Sequence, residues 1–163
     1  VLEERGEGRP KVTECAADLT LSAHIPETYV PSAEQRMDLY RRIAAIRSND
    51  DASELLDELL DRYGDPPKSV HALLDVALLR AAASTVGVTE IVQRGDALRF
   101  TFSVMEAESV VKVCTLSKYR QRLRLAAGEV PALTLTLRPG EDNLEAALAL
   151  VEDLKLSREE NNL

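Results

Sequence analysis

Apolar positions along this chain follow a helical period in the first half and a mostly alternating one in the second. Residues Thr13 to Ile25 alternate, with Ala17, Leu19, Leu21 and Ala23 on one face, which predicts a strand ended by Pro26 and Pro31. Ser32 then offers an N-cap and Gln35 completes a capping box. The helix that follows carries Met37, Tyr40, Ile43, Ala44 and Ile46 on one stripe, and Asn49, Asp50 and Asp51 break it. A second helix is predicted from Ala52 to Tyr63, with Leu55, Leu56, Leu59 and Leu60 on one face and Gly64 as its left-handed end. Asp65-Pro66-Pro67 restarts the chain, because proline's missing donor is harmless in a first turn. From Lys68 to Val86 the sequence is apolar nearly all round, which predicts a helix at the centre of the domain, ended by Gly87.

Beyond Gly87, Val88–Gln93 and Ala97–Ser103 read as a hairpin across Arg94-Gly95-Asp96. Glu106–Lys118 reads as a short helix with Val110, Val111, Val113 and Cys114 inward. Arg120–Ala126 and Ala132–Arg138 read as two more strands. Residues 140–143 cap a last helix that turns Leu144, Ala147, Leu148, Val151 and Leu154 inward. The expected class is α+β: a helical N-terminal half, then a β-β-α-β-β-α half with a mainly antiparallel sheet. Residues 1–11, broken by Gly6, Gly8 and Pro10, read as a linker or flexible arm. Residues 12–156 form the expected single domain, and 157–163 a disordered tail.

Composition narrows the function more than the fold. Hydrophobic residues make up 45% and charged residues 29%, an ordinary globular balance, while aromatics are only 4% and Trp is absent. The core must therefore come from Leu, Val, Ile and Ala, and a chain of 163 residues buries roughly 70% of its unfolded surface without a staple. The net charge of −8 and pI of about 4.9 count against global nucleic-acid binding, which draws on Lys and Arg at phosphates. Solubility accounts for such a charge, and an acidic face for a basic protein is the functional alternative. Cys15 and Cys114 stand far apart in apolar surroundings, the setting of buried reduced thiols. No apolar stretch approaches a membrane span, which points to the cytoplasm, and a start without Met is expected of an excised or processed piece.

Catalytic chemistry finds little footing. The seven glycines are scattered, and none leads into a Lys-Ser/Thr pair at phosphate-loop spacing; Lys68-Ser69 follows two prolines, which have no donors to offer. His24 and His71 lack a nucleophile motif and a ligand cluster, so neither a hydrolase nor a zinc site is expected, and no cofactor. A small enzyme would need a convergent polar cluster that the sequence does not display.

Two charge patterns stand out. Glu54, Asp57, Glu58 and Asp61 fall at i, i+3, i+4 and i+7, opposite the leucine face of the second helix. Like charges at such spacings repel by a few tenths of a kcal/mol per pair. A basic surface would relieve that repulsion; a solvated outer face, partly offset by Arg62 and the helix N-terminus, is the alternative. In the other pattern Arg120, Arg122 and Arg124 would share one face of a strand, with Tyr119 beside them. That arrangement suits a charged edge strand or internal ion pairs, and alternatively a nucleic-acid contact.

The segments RMDLYRRIA (36–44) and ELLDRYGDPP (58–67) carry a resemblance. They match the patterns R-x-x-x-Y-K/R-K/R-I/L-A and E-L-x-D-R-F/Y-G-x-x-P of the C-terminal domain of the bacterial transcription-repair coupling factor (Mfd) family. HIPETYVP (24–31) is similar to that family's approach to the first pattern. Leu73 to Arg80 with Gly87-Val88 is similar to its continuation, except that Val86 stands where the family has Leu. The resemblance is detailed over Ile25–Val88 and loose beyond. It implies a non-catalytic regulatory piece of an ATP-driven DNA translocase, similar to the RecG helicase motor, that removes stalled RNA polymerase and recruits excision repair. It further implies docking on a UvrB-like module of the same polypeptide, which masks the UvrA-binding surface and restrains the motor. RNA polymerase and UvrA would be indirect partners, and DNA a partner of the motor. Carried onto this chain, Glu58 and Asp61 are the candidates for meeting a basic partner. Glu54, Asp57 and Arg62 lie beside them, and Tyr63, Gly64 and Pro67 are conformational residues of the motif.

Overall fold

Ser32 and Ser48 start the first two helices by the same device. In the computed structural model, which describes residues 14–161, Ser32 Oγ accepts from the Gln35 amide at 3.2 Å and opens α1 (Ala33–Ala44). Ser48 Oγ accepts from the Asp51 amide at 3.1 Å and opens α2 (Asn49–Tyr63). Asn49, Asp50 and Asp51, expected as a break, are therefore the first turn of α2, where the carboxylates of Asp50 and Asp51 suit the positive end of the helix. The stripe on α1 also shifts: Leu39 and Ile43 are buried, whereas Met37 is 54% exposed. The capping box is half realised, because the Gln35 side chain accepts from the Tyr63 hydroxyl at 2.9 Å instead of turning back to Ser32.

α3 (Lys68–Thr85) joins two hydrophobic clusters, which is why it is apolar nearly all round. Val70, Leu74 and Ala77 pack with Leu39, Ile43, Leu55 and Leu59 of α1 and α2. Leu79 and Ala83 pack with the sheet and the later helices.

The sheet has β1 (Ala16–Asp18), β2 (Val88–Arg94), β3 (Ala97–Phe102), β4 (Leu123–Ala126) and β5 (Ala132–Thr136), in the order β1-β2-β3-β5-β4. β1 pairs parallel to β2, and the remaining pairs are antiparallel. The first half is thus not purely helical, since its strand joins the sheet of the second. The strand expected over 13–25 keeps its alternation, with Ala17, Leu19 and Leu21 against the core, but only three residues pair; Thr13 lies outside the described residues. Side chains replace the ladder after Asp18: Gln93 Oε1 takes the Thr20 amide at 2.9 Å and Asn143 Nδ2 donates to the Thr20 carbonyl at 2.9 Å.

Leu98, Phe100 and Phe102 of β3 and Leu133 and Leu135 of β5 point to the core, while Arg99 and Thr136 remain outside. The core face is covered by α3, by α4 (Ala107–Cys114) and by α5 (Asn143–Asn161). The helix expected over 106–118 is shorter than that, a 3-10 turn at Ser117–Tyr119 following it, and Val111 is 56% exposed rather than inward. In α5, Leu144, Ala147, Val151 and Leu154 are buried as the period requires. The disordered tail expected from Ser157 is instead helical through Asn161. Ser157 is buried and donates to the Ser109 carbonyl at 3.3 Å; Arg158 reaches the Thr85 carbonyl at 2.8 Å and Glu106 at 3.0 Å. A small residue at the contact with α4 hid that continuation behind a polar sequence. Residues 1–11, expected as a linker, lie outside the described residues.

Candidate functional site

Helix α2 turns Leu55 and Leu59 into the core, and the opposite face carries the acidic stripe. Glu54, Asp57 and Asp61 are exposed. Glu58 differs from them. Arg42, on α1, grips it with both terminal nitrogens, Nη1 to Oε2 at 2.5 Å and Nη2 to Oε1 at 2.9 Å, and Arg62 approaches at 3.6 Å. The two-pronged bond to Arg42 lowers the pKa of Glu58 and raises that of Arg42. Glu58 therefore ties α2 to α1, and the charge that reaches solvent unpaired is that of its neighbours: among the described residues Asp57 and Asp61 form no ion pair.

This pair gives a pH prediction. A carboxyl whose folded pKa lies below its unfolded one contributes stability fully above the unfolded value and loses it as pH falls towards the folded one. Between neutrality and the acid side of the ordinary glutamate range, the parent chain should lose more stability than Glu58→Gln. Urea unfolding at a series of pH values measures this, and parallel curves would exclude the contribution.

The rest of the motif is internal carpentry. Arg36 Nη1 donates to the carbonyls of Val30 and Pro31 at 2.7 and 3.0 Å, and the Tyr40 hydroxyl accepts from the Ile25 amide at 2.8 Å. Both hold the extended approach against α1. Tyr63 packs its ring 5.6 Å from that of Tyr29, with the Arg62 guanidinium 5.4 Å from the Tyr63 ring centre. Gly64 ends α2 at φ +83°; its amide donates to the Leu60 carbonyl at 3.1 Å and its carbonyl accepts from the Tyr29 hydroxyl at 2.8 Å. Pro67 caps α3, its carbonyl accepting from the amides of Val70 and His71 at 3.0 and 3.2 Å. Beside the stripe, Gln35, Asp38, Arg41, Arg62 and Tyr63 line a polar groove of about 440 Å³. Sequence reading missed Arg42 as the partner of Glu58, although both residues stand in the two motifs; only the antiparallel seating of α1 and α2 brings them together.

The basic row is dispersed. β4 begins at Leu123, so Arg120 lies in the turn before it, and Gln121 at φ +62° redirects the chain. Arg122 is half-buried, ion-paired with Glu141, and donates through Nε to the Thr136 carbonyl at 3.0 Å. Arg124 alone of the three is an exposed strand residue. β4 is an edge strand.

Cys15 is buried, which pushes its thiol up to about 11, and Cys114 is only half-buried, short of the burial expected for it. His24 and His71 are exposed. Among the described residues no group of three His, Cys, Asp or Glu is placed to hold a metal ion, and no helix is long and apolar enough to cross a membrane.

Comparison with known proteins places this arrangement. The TRCF domain family matches residues 19–113. The transcription-repair-coupling factor of Bacillus subtilis (strain 168) is 39% identical over 90 residues, 55% of this chain and 8% of that protein. The transcription-repair-coupling factor of Staphylococcus aureus (strain USA300) is 30% identical over 112 residues, 68% of this chain and 10% of that protein. The chain thus spans about a tenth of the length of these relatives. A crystal structure of the C-terminal domain of transcription-repair coupling factor superposes with a TM-score of 0.77 at 23% identity, covering 91% of this chain and 97% of that one, and so shares the fold. The matched residues include both motifs and every contact between α1 and α2 described above, and the chain belongs to the TRCF domain family.

Proposed function

We propose that this domain is a non-catalytic regulatory module of a transcription-repair coupling factor, an ATP-driven DNA translocase that removes stalled RNA polymerase and recruits excision repair. In this reading the outer face of α2 docks on a basic UvrB-like module of the same polypeptide, covers the surface that binds UvrA and restrains the motor. The observation that carries it is the exposed row Glu54, Asp57 and Asp61 on a helix whose leucines anchor it behind. Glu58 is half of an internal pair, so its part is to hold the row in place, and Asp61 with Asp57 supplies the contact. Arg62, over the Tyr63 ring at the end of the row, sets the orientation of a partner that brings both signs of charge.

Such a contact acts by population shift. A docking free energy of about 3 kcal/mol keeps the undocked state below roughly 1%. UvrA or polymerase then releases the motor by competing for the same surfaces. Reversing Asp57 and Asp61 together to lysine in the full-length factor is expected to raise basal ATPase and UvrA binding. It should also abolish the salt-sensitive association of this chain with the isolated UvrB-like module. Reversal at these two positions leaves the Arg42–Glu58 pair intact, so lost folding is not the expected cause of any change. Unaltered ATPase and unaltered association in the double variant would end the proposal.

A further inference from the structure

The second half of the domain carries a feature that docking by α2 leaves unused. β4 is the last strand of the sheet, and by the register it runs Leu123↔Leu135, Arg124↔Thr134, Leu125↔Leu133 and Ala126↔Ala132 against β5. The Thr136 amide donates to the Arg122 carbonyl at 2.9 Å, so residues 122, 124 and 126 form the hydrogen-bonded pairs with β5. Alternation then turns the amides and carbonyls of Leu123 and Leu125 outward, away from β5, along an edge to which no further strand is added among the described residues.

The two faces beside that edge differ in chemistry. On the face away from the helices, Arg124 and Arg99 are exposed and flank Thr134 across three adjacent strands. Arg120, in the turn before β4, is exposed at the same end of the strand. On the helix face, Leu125 is 40% exposed, next to buried Leu133. Glu129, in the β4–β5 turn, is an acid close by. A locally basic edge on a chain of net charge −8 favours one kind of added strand. A second copy in the centred antiparallel register would set Arg124 against Arg124, which opposes self-pairing. Nucleic acid would need a basic surface broader than this one, because Arg122 is already neutralised by Glu141.

We propose that the open edge of β4 takes an extended protein segment in which acidic and apolar residues alternate. Its backbone would bond to Leu123 and Leu125, its carboxylates would lie beside Arg124, and its apolar side chains would extend the helix-side face past Leu125. This reading is independent of docking by α2, since it uses the opposite half of the domain.

The test uses the 163-residue chain and three fluorescent probes: a short capped peptide alternating glutamate and valine, its lysine–valine counterpart, and a short single-stranded oligothymidine. Fluorescence anisotropy should show the glutamate peptide binding in preference to the other two. Arg124→Glu should weaken it about tenfold and turn the preference to the lysine peptide. Leu125→Pro removes an outward amide while sparing every bond to β5, and should weaken it about tenfold relative to Leu125→Ala. Thermal melts establish that the variants fold. Were Leu125→Pro to unfold, amide shifts at Leu123 and Leu125 on adding the glutamate peptide to the parent chain decide the matter in its place. The proposal is overturned if the glutamate peptide does not bind, if binding ignores both substitutions, if those amides stay unmoved, or if the oligothymidine binds more tightly.

Discussion

Replacing Gly87 with alanine is expected to destabilise the domain by about 3 kcal/mol. Two separate causes add at this position. Gly87 has φ +82°, a region that costs an L-residue roughly 1–2 kcal/mol. A Cβ placed there would also meet the Val104 carbonyl oxygen at 2.2 Å, far inside contact distance, and the obstacle is backbone. It cannot easily retreat, because the Ser103 amide donates to the Gly87 carbonyl at 2.9 Å and ties the two segments together. Gly87 thus lets the end of α3 pass close to the loop after β3. For a chain of this size the loss amounts to roughly 6–12 °C in Tm. Gly64→Ala is the control: φ is +83° there, but nothing lies within 4 Å of the added carbon. Its expected loss is about 1–2 kcal/mol, from the backbone alone. Equal losses in the two variants, by urea unfolding, would show that the close approach to Val104 is unimportant.

The second large effect is on α2. Leu59 is 2% exposed and sits in the cluster with Leu39, Ile43, Val70 and Leu74, whereas Leu60, its neighbour in sequence, is 40% exposed. Truncating Leu59 to alanine removes buried methyl groups and leaves a cavity among helices that can close only partly, at about 2–5 kcal/mol. Leu60→Ala should cost under about 1 kcal/mol, since much of that side chain already meets water. The comparison bears on function as well as stability. Leu59 lies between Glu58 and Asp61 in sequence and fixes the rotation that keeps the acidic row outward. Association with the UvrB-like module should therefore weaken in Leu59→Ala and persist in Leu60→Ala. Similar stability in both variants would mean that α2 is not anchored as its burial implies.

Helical and alternating periods were enough to locate the five helices and five strands of the described residues, because each element must turn one apolar face inward whatever it packs against. Gly64, Gly87 and the prolines at 66 and 67 marked helix ends through backbone chemistry that needs no tertiary partner. The acidic stripe was legible for the same reason, being a matter of spacing on one helix.

What escaped that reading depends on partners distant in sequence. The polar look of residues 157–161 concealed a helix because Ser157 meets Ser109 on α4, forty-eight positions away. The row of three arginines dissolved because Glu141 claims Arg122 and a left-handed residue at 121 turns Arg120 out of the strand. Glu58 shares the spacing of its neighbours, and only Arg42 across the helix pair sets it apart. Local periodicity reports which side of an element avoids water. The pairing of charges, the length of a ladder and the neighbour that a side chain meets arise only when separate elements are brought together, and on those points this domain was decided by its packing.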